Sequence, residues 1–136
     1  FYVHTDSDPE LLEYMLNKYD GIVLAGTGSG NYPTKIKDVL ESYTGDCTLV
    51  RASRVLEGAV FDSDVFDSKR ITIPAYKFSA QKARILLMLG LNCTKNHETI
   101  KSFFQEYWKM LTCIENFFLD AIIIRQLKNR RLLCNN

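Results

Sequence analysis

At 136 residues the chain has room for one domain and hardly two, and it is long enough to bury roughly two thirds of its unfolded surface. Hydrophobic residues make up 46% and charged residues 24%, ordinary values for a soluble globular domain. The net charge of +1 is uneven, with five Lys/Arg against two Asp/Glu in residues 109–136 and 12 basic against 14 acidic side chains before them; this excludes the face-wide positive cluster that nucleic acid requires.

Phe1-Tyr2-Val3 reads as the end of a short strand. Ser7 and Asp8 then offer helix caps, Pro9 suits a first turn, and Glu10 stands three residues after Ser7 as a capping-box partner. Leu12, Met15, Leu16 and Tyr19 recur at the spacing of one helix face, and Asp20-Gly21 ends the run. Ile22–Ala25 is a short apolar stretch between glycines, which suits a strand covered on both faces. After a glycine-rich turn, Asn31 caps a second helix from about Tyr32 to Tyr43, with Ile36, Val39, Leu40 and Tyr43 on its inner face.

Thr48-Leu49-Val50 starts the next strand, and Ile71-Thr72-Ile73 forms another after a polar loop. Ser79 caps a helix reaching about Leu91, with Ala83, Leu86, Leu87 and Gly90 aligned. Asn96 caps a further helix carrying Ile100, Phe103, Phe104 and Tyr107. Strands alternating with helices predict an α/β fold, a small parallel sheet with flanking helices. Residues 1–108 form that domain, and residues 109–136 read as an atypical basic and apolar tail. The tail suits an amphipathic helix at a membrane or partner surface, a packed extra helix, or an irregular end.

Four cysteines (Cys47, Cys93, Cys113, Cys134) and two histidines (His4, His97) stand at no metal or redox spacing, so no metal site is expected. The apolar runs are far shorter than the ~20 residues that span a bilayer. No leader is visible in these residues, and the opening at Phe1 reads as a cut inside a longer protein, so any leader is expected upstream.

In open α/β sheets, ligands bind beyond the carboxyl ends of the strands. That rule singles out Gly26–Asn31 and the stretch after Arg51–Arg54. The first has a G-x-G-x-G spacing, which matches neither the dinucleotide nor the Walker pattern. Its glycines suit a tight turn, and the amide of Asn31 can both cap a helix and meet a ligand. The second offers Asp62, Asp64 and Asp67 beside Arg51 and Arg54, either as a solvated, ion-paired loop or with one carboxylate free for a cationic ligand group. Thr5, Thr27, Ser29 and Ser53 are candidate nucleophiles, but none has an evident base and orienting group, so no catalytic residue is assigned.

Three colinear segments carry a family resemblance. Asp20–Asn31 (DGIVLAGTGSGN) resembles the "DGIV-AG-G-GN" segment of type II L-asparaginases. Val50–Val55 with Gly58-Ala59-Val60 resembles their "VRSSRV--GAV" segment, and Gln81–Leu89 their "QKARILL-LAL" helix. Residues Ile100 to Tyr107 look like the helix that closes the family's chain. The resemblance implies the C-terminal domain of an amidohydrolase that converts L-asparagine to L-aspartate and ammonia without a cofactor, often with some glutaminase activity. It also implies that the nucleophilic threonine and its Thr–Lys–Asp partner lie in an N-terminal domain, outside these residues.

In that family a neighbouring subunit's C-terminal domain completes each site with an Asn and an acid near the substrate α-amino group. By position these are Asn31 and, allowing one deletion in the loop, Asp64, with Asp62 as the alternative. Implied partners are L-asparagine, the N-terminal domain and further subunits of a homotetramer, with neither nucleic acid nor membrane. The implied location is periplasmic or secreted. A non-catalytic ligand-binding or assembly module on the same fold is the competing reading.

Overall fold

The computed structural model describes residues 1–62, 67 and 69–113. Helix α1 spans Pro9–Lys18, with Asp8 as its cap: Glu10 N donates to Asp8 Oδ1 at 2.9 Å. The expected Ser7–Glu10 capping box does not form. Ser7 Oγ instead accepts from His4 N at 2.8 Å, closing the turn before the helix, and the cap falls one residue later, on Asp8. Leu12 and Leu16 are buried, whereas Tyr19 follows the helix and is exposed.

Strands β1 (Gly21–Gly26), β2 (Thr48–Ser53) and β3 (Thr72–Pro74) form a parallel sheet in the order β1-β2-β3. The register runs from Gly21 opposite Thr48 to Gly26 opposite Ser53. On the other side of β1, the edge segment Phe1–Val3 adds in parallel through Tyr2 and Ala25. All six residues of β2 are buried, because this strand is paired on both sides and covered on both faces.

Helix α2 is Thr34–Ser42 and α3 is Ala80–Cys93, the latter capped by Ser79 Oγ, which accepts from Lys82 N at 3.4 Å. Helix α4 is described over residues 97–113. It opens on Asn96, whose Oδ1 accepts from Thr99 N at 2.9 Å.

Side-chain alternation along the strands divides the core between two faces. Ile22, Leu24 and Leu49 meet Leu12 and Leu16 of α1 and Ile36, Val39 and Leu40 of α2. Ala25, Val50, Ala52 and Ile73 meet Ala83 and Leu87 of α3 and Ile100 and Phe104 of α4. Small strand residues lie under the large Phe104 ring, which stacks edge-on against Phe78 with centroids 6.3 Å apart. This is the three-layer α/β arrangement that strand–helix alternation predicts.

The chain divides into two compact units, Phe1–Phe104 and Gln105–Asn136. In the second, the described residues 105–113 are helical, and Thr112 Oγ1 donates to the carbonyl of Lys109 at 2.9 Å. The apolar and basic run from Phe117 to Arg131 lies outside the described residues. Among the described residues, no helix is long and apolar enough to cross a membrane.

Cys47 sits half-buried before β2, and burial, followed by the negative charge of Asp20, pushes its thiol from 9.0 to about 11. At pH 8 that leaves about a hundredfold less thiolate than an unshifted thiol would hold. Iodoacetamide should therefore label the exposed Cys93 and Cys113 well before Cys47. Peptide mass spectrometry showing equal labelling rates would contradict this.

Candidate functional site

The loop after β1 is shaped by its glycines. Gly30 N and Asn31 N both donate to Thr27 O, at 2.9 and 2.8 Å, and Thr27 N returns a bond to Asn31 O at 3.1 Å. Gly30 has φ +84°, and a Cβ there would lie 2.8 Å from Arg51 Cγ. The loop also folds back on Gly26, where a Cβ would come within 2.6 Å of Gly30 O.

Asn31 does not cap the second helix. Helix α2 begins at Thr34, its cap position is Pro33, and no side chain bonds its first amides. The amides of Gly30 and Asn31 are spent inside the turn, so the loop presents no helix N-terminus to a phosphate. Asn31 Oδ1 is buried and has no hydrogen-bond partner among the described residues.

Asn31 borders a cavity of about 300 Å³, together with His4, Thr5, Thr27, Tyr32 and Arg54. Each of these follows the carboxyl end of a strand or edge segment: His4 and Thr5 after Phe1–Val3, Thr27 to Tyr32 after β1, and Arg54 after β2. Arg54 N donates to Gly26 O at 2.8 Å and its guanidinium to Val3 O at 2.9 Å, so one residue ties three strand ends together. Burial pushes the Tyr32 phenol up to about 12, with Asp67 adding to the rise and Arg51 opposing it. At neutral pH Tyr32 is therefore an uncharged donor and acceptor.

The carboxylates of the second loop separate. Asp62 Oδ1 lies 3.6 Å from Lys101 Nζ on α4 and does not border the Asn31 cavity. Asp64 lies outside the described residues. Asp67 is buried and accepts from Ile71 N, Thr72 N and Thr72 Oγ1 at 2.9, 2.7 and 2.6 Å.

Arg51, grouped above with the polar loop, lies within β2 and is 1% exposed. It donates to Thr72 Oγ1 at 3.3 Å, Ser29 O at 2.9 Å and Phe61 O at 2.8 Å. Arg51 and Asp67 thus share the Thr72 hydroxyl and hold β3, the glycine loop and the segment at Phe61 in one network. Neither is free for a ligand. Ser53, a candidate nucleophile, is buried and its Oγ accepts from Val55 N at 3.1 Å. Among the described residues, no group of three or more His, Cys, Asp or Glu is placed to hold a metal ion.

Residue typing alone did not mark His4, Thr5, Tyr32 or Arg54 as cavity walls. The signal that finds them is topological, since all follow carboxyl ends of parallel strands.

The family model for the glutaminase/asparaginase C-terminal domain matches residues 1–104. The chain belongs to this family. It is 38% identical over 109 residues to the probable periplasmic L-asparaginase of Haemophilus influenzae, covering 78% of this chain and 31% of that protein. It is 41% identical over 91 residues to L-asparaginase 2 of Escherichia coli, covering 65% and 26%.

Among solved structures it is similar to the probable cytoplasmic L-asparaginase from Campylobacter jejuni. That pair shares 33% identity at a TM-score of 0.65, over 77% of this chain and 34% of the other. The chain spans about a third or less of the length of these relatives. The glutaminase/asparaginase C-terminal domain here places the Asn31 loop, Arg54 and the Val3–Thr5 segment at the same end of its sheet.

Proposed function

We propose that this domain is the substrate-holding part of an L-asparaginase, an amidohydrolase releasing L-aspartate and ammonia, with the nucleophile supplied by an N-terminal domain. The observation that carries the reading is Asn31, which borders the cavity at the strand ends and whose Oδ1 is a buried acceptor without a donor among the described residues. An unmatched buried acceptor costs about 1–3 kcal/mol, which a substrate ammonium would offset by donating to it. A carboxylate nearby would complete a charge-assisted contact with the same ammonium. Asp64 is the proposed acid, and the engagement of Asp62 with Lys101 favours that choice.

The relatives support L-asparagine as substrate, and the Pseudomonas fluorescens glutaminase-asparaginase, 30% identical over 89 residues, supports some tolerance for glutamine. The proposed assembly is a homotetramer in which the site is shared between subunits; light scattering of the two-domain protein checks it. A periplasmic or secreted location rests on the Haemophilus relative, whereas the Campylobacter neighbour is titled cytoplasmic. Cell fractionation decides it.

Residues 1–136 alone should release no ammonia from L-asparagine. In the two-domain enzyme, Asn31→Ala should raise KM for L-asparagine about 10- to 100-fold, the loss of one hydrogen bond to a charged group. An unchanged KM would remove Asn31 from the site. Binding of L-asparagine without turnover, with both domains present, would instead favour a non-catalytic module.

A further inference from the structure

A strand covered on both faces calls for apolar side chains, and β2 supplies them at Leu49, Val50 and Ala52. Arg51 breaks that pattern. Its guanidinium keeps its charge at any ordinary pH and is almost wholly shut away from water, a costly placement that its hydrogen bonds must offset. Those bonds reach three segments far apart in sequence. Nη1 donates to Ser29 O, Nη2 to Phe61 O and Nε to Thr72 Oγ1.

The stem of the same side chain packs against the glycine loop, since a Cβ on Gly30 would come 2.8 Å from Arg51 Cγ. Arg51 therefore touches Ser29 and Gly30, the two residues directly before Asn31. The bonds from Gly30 N and Asn31 N to Thr27 O tie one part of the loop to another. The bond from Arg51 ties the loop to β2, the central strand. Gly28 and Gly30 both have positive φ, and glycine backbone is the freest to leave such a conformation, so an anchor outside the loop restricts it most. The bonds to Phe61 O and Thr72 Oγ1 brace the planar fork, which fixes the direction of the one to Ser29.

We propose that Arg51 is a positioning residue for the substrate: it holds the glycine loop from the central strand and so sets where Asn31 meets the ligand. This role rests on the reading of Asn31 as a substrate contact. Arg51 does not itself border the cavity, so it acts through Ser29 and Gly30. A binding group displaced by about 1 Å loses its hydrogen bond, and such shifts cost up to about a hundredfold.

The test uses Arg51→Lys, which keeps the charge and most of the stem but not the fork. Leu87→Ala, a core truncation, is the structural control, because Leu87 packs beside Gly21 at the other end of β1. In the 136-residue chain, Arg51→Lys should speed amide exchange at Gly30 and Asn31 at least about tenfold relative to Leu24 of β1. Leu87→Ala should leave that ratio unchanged. In the two-domain enzyme, Arg51→Lys should raise KM for L-asparagine about tenfold with kcat within about twofold, and Leu87→Ala should change neither. Added to Asn31→Ala, Arg51→Lys should raise KM by no more than about a further twofold, because its effect passes through Asn31. An unchanged exchange ratio, an unchanged KM, equal effects from Leu87→Ala, or multiplying effects in the double variant would overturn the positioning role alone. Loosened exchange beside a wild-type KM for Asn31→Ala would instead overturn the substrate reading, and this role with it.

Discussion

Replacing Arg51 with methionine should cost about 3–5 kcal/mol of folding stability, the usual effect of removing one member from a buried charged network. Arg51 is 1% exposed and makes three hydrogen bonds, to Thr72 Oγ1, Ser29 O and Phe61 O. Methionine fills similar volume and donates to none of them. Two carbonyls lose their donor, and the buried Asp67 carboxylate loses the cation it reaches through Thr72. Arg51→Lys should be intermediate, because one ammonium cannot reproduce the planar fork that reaches three directions. Urea unfolding measures this directly, with the shift expected in the midpoint and little in the slope. A methionine variant within about 1 kcal/mol of wild type would show that the network contributes specificity rather than stability.

Gly26→Ala should be nearly as damaging, at about 3 kcal/mol, because the clash is with backbone and no rotamer relieves it. The added Cβ would lie 2.6 Å from Gly30 O, inside a turn already closed by Thr27–Asn31 bonds. Relief would push the turn outward and displace Asn31, which borders the cavity, so under the proposed function the variant should bind L-asparagine more weakly as well as lose stability. Gly28 supplies the contrast. It has φ +51°, but nothing lies within 4 Å of a Cβ there. Gly28→Ala therefore meets only the left-handed backbone penalty of about 1–2 kcal/mol, and Gly28→Asn should cost less. Thermal melts that rank Gly28→Ala as the worse variant would refute the close-approach account of Gly26.

These two residues also explain why the cavity has its shape. Arg51 holds the glycine loop from below through Ser29 O, and Gly26 lets the loop close above it. Asn31 is thereby left with its backbone bonded and, among the described residues, its side-chain oxygen unpartnered.

By itself the sequence determined the layer architecture. The helix faces (Leu12 and Leu16, Ile36, Val39 and Leu40, Ala83 and Leu87, Ile100 and Phe104) and the apolar run Ile22–Ala25 all lie in the core at their predicted spacing. Caps that depend on one side chain and the next turn, at Ser79 and Asn96, were legible as well. Three ordered motifs were enough for the family.

Only the tertiary structure decided how the polar residues divide their work. Ser7, Asn31, Arg51 and Asp67 each carry groups that can serve several partners, and local sequence does not choose among partners distant along the chain. Ser7 bonds His4 rather than capping α1. Asn31 closes a turn with Thr27, and α2 starts three residues later at Thr34, with Pro33 at the cap position. Arg51 and Asp67, with three hydrogen bonds each, are held inside rather than facing a ligand. Apolar periodicity is read along one element, where neighbours in sequence are neighbours in space. A hydrogen bond from β2 to the glycine loop spans 22 residues, and it exists only once the sheet has brought the two together.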